Sequence, residues 1–70
     1  MQQNQFHRNL KRLRKRARLT QAGFAAKFAG VNRHNIMDWE SIAEPSFFRL
    51  IQIADYFVLT TDQILKEEIV

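Results

Sequence analysis

The sequence predicts a small all-α domain of five short helices, and three observations carry that reading. Apolar residues recur at helical spacing along most of the chain. No segment alternates apolar and polar residues strictly enough for a strand; "YFVLTT", residues 56–61, reads as a helix end and a loop. Only two glycines and one proline punctuate 70 residues, so the connections between helices must be short.

The first helix is predicted over residues 4–17, from Asn4. Phe6, Leu10, Leu13 and Ala17 form one apolar stripe on an otherwise basic surface. Thr20 is a good N-cap for the second helix, which turns Phe24, Ala25 and Phe28 inward until Gly30 breaks it. Asn32 caps the third, with Ile36 and Trp39 facing the core. Pro45 stops the chain and Ser46 restarts it. The fourth helix is apolar through Phe47, Leu50, Ile51, Ala54 and Phe57. Thr60 or Thr61 caps the last helix, about residues 61–68, which carries Ile64 and Leu65. Residues 1–70 read as a single domain, with no linker or repeat.

Composition narrows the class. A chain this short buries only roughly 60% of its unfolded surface, so its core is thin. There are no cysteines to staple it. No apolar run approaches a membrane span, and the basic N-terminal segment is not followed by the apolar stretch of a signal peptide; a cytoplasmic protein is expected. The net charge of +4 hides a polarity. Residues 1–37 hold nine Lys/Arg and no acid, whereas residues 38–70 hold two basic residues against seven acids. Seven of the basic residues lie between Arg8 and Arg18. A merely solvated helix gains from mixed i,i+4 pairs, so an unmixed run points to a polyanionic partner on that side.

Catalysis finds little support. His7 and His34, the only histidines, lack the spacing of a metal site. Asp38 and Glu40 are two apart, which on a helix sends them to different faces, where they cannot share a proton. No glycine-rich phosphate loop exists. The chain is expected not to be an enzyme and to need no cofactor.

Nucleic-acid binding finds more. Two helices joined by a short glycine-containing turn, about residues 20–40, make the unit that lays a helix in the major groove of double-stranded DNA. From the third helix, Arg33 can pair with guanine O6 and N7. Asn35 can pair with adenine or take a phosphate, Asp38 can accept from cytosine N4, and His34 can donate to phosphate or base. Phe24, Phe28, Ile36 and Trp39 are read as core.

"LTQAGFAAKF", then Ala29, then "GVNRHNIMDWE" resembles the helix-turn-helix of the Cro/repressor (XRE-like) family. Its typical pattern runs Leu-Thr-Gln, an apolar residue and alanine, then Gly-Val-Ser-Arg, an isoleucine four residues after the serine, and a closing aromatic-Glu. The later "AEPSFFRLIQIADYFVLTTDQIL" is similar to the family's Pro-Ser, apolar fourth helix and capped fifth helix. The resemblance covers about residues 8–65 and implies a compact five-helix, lambda-repressor-like DNA-binding domain. It implies that Gln21 contacts phosphate and sometimes a base. Thr20 caps the same helix. It places Arg33, His34, Met37 and Asp38 on the recognition face, with Asn32 at the cap and Asn35 toward the DNA backbone. It also implies that Arg14 and Glu40 pair, joining the first helix to the end of the third. Lys11, Lys15 and Arg18 would add phosphate contacts or general field.

Four departures stand out. Ala29 is one residue more than the pattern has, and no glycine follows Glu40. Gly23 stands where an acid would complete a capping box, and Arg18 stands where a glycine commonly ends the first helix in the left-handed region.

The function expected is sequence-specific DNA binding by a transcriptional regulator, a repressor from a bacterium or phage that acts by occupancy. A homodimer is expected, reading two half-sites. Phe48 beside Phe47, with Met37, Ile42, Tyr56, Ile69 and Val70, suggests apolar contact surface, and segment 60–70 is the first choice for the dimer contact. Two rivals remain. One is an antitoxin that binds a toxin partner. The other is a protein- or membrane-interaction module that docks its basic first helix on an anionic surface.

Overall fold

The computed structural model describes residues 5–69. Five helices follow in order: α1 Phe6–Arg16, α2 Gln21–Ala25, α3 Arg33–Trp39, α4 Phe47–Tyr56 and α5 Thr61–Lys66. There is no strand among the described residues. The all-α, five-helix fold read from the sequence is the fold observed. None of these helices is long and apolar enough to cross a membrane. The radius of gyration is 11.0 Å.

Local chemistry sets the boundaries. Each of α2 to α5 starts at a side chain that accepts from the third helical N–H: Thr20 from Gly23, Asn32 from Asn35, Ser46 from Arg49 and Thr60 from Gln63. In α3 and α5 the bond is reciprocated by Asn35 and Gln63, which makes capping boxes. Helices α1 and α4 end in the same way. After α1, Arg18 N–H bonds Lys15 C=O and Leu19 N–H bonds Arg14 C=O. After α4, Val58 N–H bonds Asp55 C=O and Leu59 N–H bonds Ala54 C=O. This closure needs a left-handed residue, and Arg18 (φ 62°) and Val58 (φ 59°) supply it without being glycine.

The core gathers Phe6, Leu10 and Leu13 from α1 with Phe24, Ala25, Phe28, Ile36 and Trp39 from the helix-turn-helix. Leu50, Ile53 and Ala54 join from α4 and Ile64 from α5. Phe24 is its hub, stacked on Phe57 at 5.6 Å and edge-on to Phe28 at 5.2 Å. Fully burying a side chain of this size contributes about 1.5–3 kcal/mol.

The structure corrects several expectations. Phe47 is 71% exposed, and Ile53, passed over in the sequence, is buried. The inward stripe of α4 is therefore Leu50, Ile53, Ala54 and the half-buried Phe57. Ala17 lies past the end of α1 and is exposed, and helical bonding in α2 stops at Ala25, short of Phe28. Helix α5 ends at Lys66, and Glu67 is already extended (ψ 146°). Asn4 and Val70, named in the sequence reading, lie outside the described residues.

Segment 60–69 also differs from a contact surface. Ile64 is fully buried, and Leu65 and Ile69 pack on the core. The agent is Asn9, a polar residue inside the apolar stripe of α1 and itself fully buried. Its Nδ2 donates to Ile64 O (2.8 Å) and Glu67 O (2.7 Å), and its Oδ1 accepts from Ile69 N–H (3.1 Å). Arg12 adds a bond to Ile69 O at 2.8 Å, and Gln5 N–H donates to Leu65 O. The exposed large apolar side chains are elsewhere: Ile42, Phe47, Phe48, Tyr56 and Val58.

Candidate nucleic-acid interface

The turn before α3 sets its pitch. Val31 N–H bonds Phe28 C=O at 3.3 Å, which makes Ala29 and Gly30 the two central residues of a β-turn. Gly30 has φ +79°, the sign that the second central position of a type II turn requires. The extra Ala29 is thus absorbed as the first central residue. Ile36 and Trp39 keep their buried register, at 0% and 8% exposure. A Cβ on the exposed Gly30 would stand 3.1 Å from Arg49 Nη2. Arg49 in turn donates to Gln52 Oε1 at 2.9 Å.

Helix α3 then ends without a glycine. Asp38 C=O accepts from the N–H groups of Ser41, Ile42 and Ala43, and the Ser41 hydroxyl donates to Met37 O at 3.0 Å. The last-turn carbonyls of a helix need partners from outside its own ladder, and a serine and three successive amides supply them here for Met37 and Asp38. His7 closes the same end. Its Nδ1 lies 2.8 Å from Trp39 O, and because a carbonyl only accepts, Nδ1 carries the proton.

At about 100° per residue, Arg33, Met37, His34 and Asp38 share the side of α3 opposite Ile36 and Trp39. Arg33, His34 and Asp38 are exposed and Met37 is half-buried. Asn35 is turned back: its Oδ1 accepts from Asn32 N–H (2.9 Å), while Asn32 Oδ1 accepts from Asn35 N–H (3.0 Å). Both carbonyl ends are therefore engaged in the cap, which leaves the two amide NH2 groups as donors. The α3 face and the capping pair are brought together at one end of the helix.

The basic run divides into two groups. Arg8 faces Glu68 at 3.8 Å, Arg12 holds Ile69 O, and Arg14 holds Glu40. Lys11, Lys15, Arg16, Arg18, Lys27 and Arg33 are exposed and form no ion pair among the described residues. Thr20 is exposed at the cap of α2, with its oxygen committed to Gly23 N–H at 2.9 Å. A Cβ on Gly23 would stand 3.1 Å from that same hydroxyl.

Arg14 and Glu40 meet as the family resemblance implied. Nε donates to Oε2 at 2.5 Å and Nη2 to Oε1 at 3.1 Å, with the side chains 9% and 4% exposed. Arg14 Nη1 also donates to Leu19 O at 2.8 Å. Gln21 Nε2 reaches Glu40 Oε1 at 3.3 Å, a bond the sequence gave no sign of. One carboxylate thereby ties together α1, α2 and the end of α3. The sequence also missed Asn9, although a polar residue within an apolar stripe was the available signal.

Among solved structures, the chain is similar to a transcriptional regulator from Listeria innocua, known from its crystal structure. The TM-score is 0.82 at 29% sequence identity, and the match covers 99% of this chain. The chain spans 66% of that regulator's length. No protein-family model matches the sequence, and no curated protein matches it.

Proposed function

We propose that this chain is a sequence-specific double-stranded-DNA-binding transcriptional regulator of the Cro/repressor (XRE-like) type, acting as a repressor by occupancy. The observation that carries the reading is the outward face of α3. Arg33, His34 and Asp38 are exposed with Met37 half-buried among them, and the exposed basic side chains of α1 and of the turns after α1 and α2 have no carboxylate partner among the described residues. The likeness to a transcriptional regulator supports the same reading.

In this mechanism α3 enters the major groove, and Arg33 donates two hydrogen bonds to a guanine edge. Lys11, Lys15 and Arg18 approach phosphates and release counterions. Asn32 and Asn35, whose carbonyls are tied into the cap, have their amide NH2 groups to offer to phosphate oxygens. A homodimer places two α3 helices on successive major-groove faces. The contact is assigned to exposed Ile42, Phe47 and Phe48, not to segment 60–69, whose apolar residues face inward.

Random-site selection on the purified protein tests the reading. A two-fold symmetric motif is expected, with affinity falling steeply as salt rises. Arg33→Ala relaxes one base-pair position in each half-site while nonspecific binding persists, and Phe47→Ser/Phe48→Ser yields a monomer by sedimentation. Absence of any selected sequence at moderate salt overturns the proposal.

A further inference from the structure

We infer that Glu68 is a built-in competitor for DNA: it holds Arg8 in the free protein and yields it to a backbone phosphate when a duplex binds. The inference rests on the DNA-binding reading above. It adds one phosphate contact to that reading, and the group that restrains it. Arg8 lies on the same outer face of α1 as Lys11 and Lys15, at i, i+3 and i+7, and is exposed like them. It stands one turn, about 5 Å along the axis, from Lys11. A phosphate chain that meets Lys11 and Lys15 therefore passes within the reach of an arginine at position 8. Lys11 and Lys15 form no ion pair among the described residues, whereas Arg8 Nη1 faces Glu68 Oε2 at 3.8 Å.

The backbone on either side of Glu68 is anchored to α1. Asn9 donates to Glu67 O and accepts from Ile69 N–H, and Arg12 donates to Ile69 O. These bonds set the Glu68 carboxylate beside Arg8, yet the two side chains themselves are 64% and 53% exposed. One long contact between exposed charges is weak and screened by salt. A phosphate offers arginine two short, charge-assisted hydrogen bonds instead. The exchange needs only side-chain rotation, because the bonds from Asn9 and Arg12 that pin residues 67–69 do not involve Arg8. Once Arg8 has turned to a phosphate, the carboxylate is left unpaired near a polyanion. Glu68 thus lowers affinity for any duplex, whatever its sequence.

The test measures affinity for a labelled mixed-sequence duplex by fluorescence anisotropy across a salt series. It compares the wild-type protein, Glu68→Gln, Arg8→Gln and the double variant, with circular dichroism and thermal midpoints confirming that each folds. Arg8→Gln is expected to reduce the slope of log affinity against log salt by about 0.9, the worth of one phosphate contact. Glu68→Gln is expected to tighten binding by roughly 2- to 5-fold, the worth of an exposed ion pair. That gain is expected to be smaller in the Arg8→Gln background, because the pair that opposed binding is already gone. An unchanged salt slope in Arg8→Gln overturns the inference and leaves the DNA-binding proposal intact. So does a gain from Glu68→Gln that is as large without Arg8 as with it, the mark of a carboxylate acting only through the general field. A wild-type protein with no salt-dependent binding to the duplex overturns the DNA-binding proposal itself, and the inference with it.

Discussion

Removing either partner of the Arg14–Glu40 pair is expected to damage the fold far more than removing both. The two side chains are almost wholly out of solvent, at 9% and 4% exposure, so each needs the other's charge. Loss of one partner from such a pair costs about 3–5 kcal/mol. A domain of this length has roughly 4–10 kcal/mol of stability in all. The two single variants are not equivalent. Arg14→Met strands a carboxylate that retains only the 3.3 Å bond from Gln21. Glu40→Leu strands a guanidinium that still donates to Leu19 O at 2.8 Å. Arg14→Met is therefore the more harmful. The double variant Arg14→Met/Glu40→Leu fills the space with apolar groups and is expected within about 1 kcal/mol of the wild type. Urea denaturation of all four proteins closes the cycle. With a slope near 1 kcal/mol/M, each single variant shifts its midpoint by about 3–5 M or unfolds outright, and the coupling is at least about 5 kcal/mol. Single variants that each cost under about 1 kcal/mol, or a double that equals their sum, refute the argument.

Other perturbations follow from the same geometry. Val58→Gly relieves a β-branched residue in the left-handed region and is expected to stabilise by about 1 kcal/mol, or about 4–8 °C in Tm by calorimetry. Arg18→Gly acts in the same direction at the end of α1, though it also removes a cation from the proposed DNA face, so stability and affinity should move oppositely. Asn9→Ala leaves three backbone groups of residues 64–69 without their partner and costs about 2–4 kcal/mol, and amide exchange at Ile69 should accelerate. Asn32→Ala breaks the α3 capping box at a cost of about 1 kcal/mol, measured by thermal unfolding.

What was legible in the sequence was local. Thr20, Asn32, Ser46 and Thr60 cap through atoms three residues away, so their roles can be read from residue type and spacing. Ile36 and Trp39 are legible because helical period alone sets their face. The α4 stripe was misread because its apolar residues fit two registers. One runs through Phe47, Leu50, Ile51, Ala54 and Phe57, the other through Leu50, Ile53, Ala54 and Phe57, and only tertiary packing chooses between them. Ala29 was legible as an extra residue, but its place in a β-turn depended on Gly30 adopting a positive φ. The Arg14–Glu40 pair spans 26 residues and was reachable only through family resemblance. The bonds of Asn9 and Gln21 cross between helices, where no pattern along the chain could report them.

The bonds of Asn9 reach 55, 58 and 60 residues ahead in the chain. During synthesis, α1 emerges long before the carbonyls and amide that will receive this side chain. Until residue 69 arrives, closing α1 against the core would seal a polar group without its partners, a penalty comparable to much of a small domain's stability. Early, partial closure is therefore discouraged, and the chain commits late and cooperatively. A nascent copy stalled before residue 64 should remain open to proteases, so that the proposed DNA-binding face is completed all at once with the segment that completes α5.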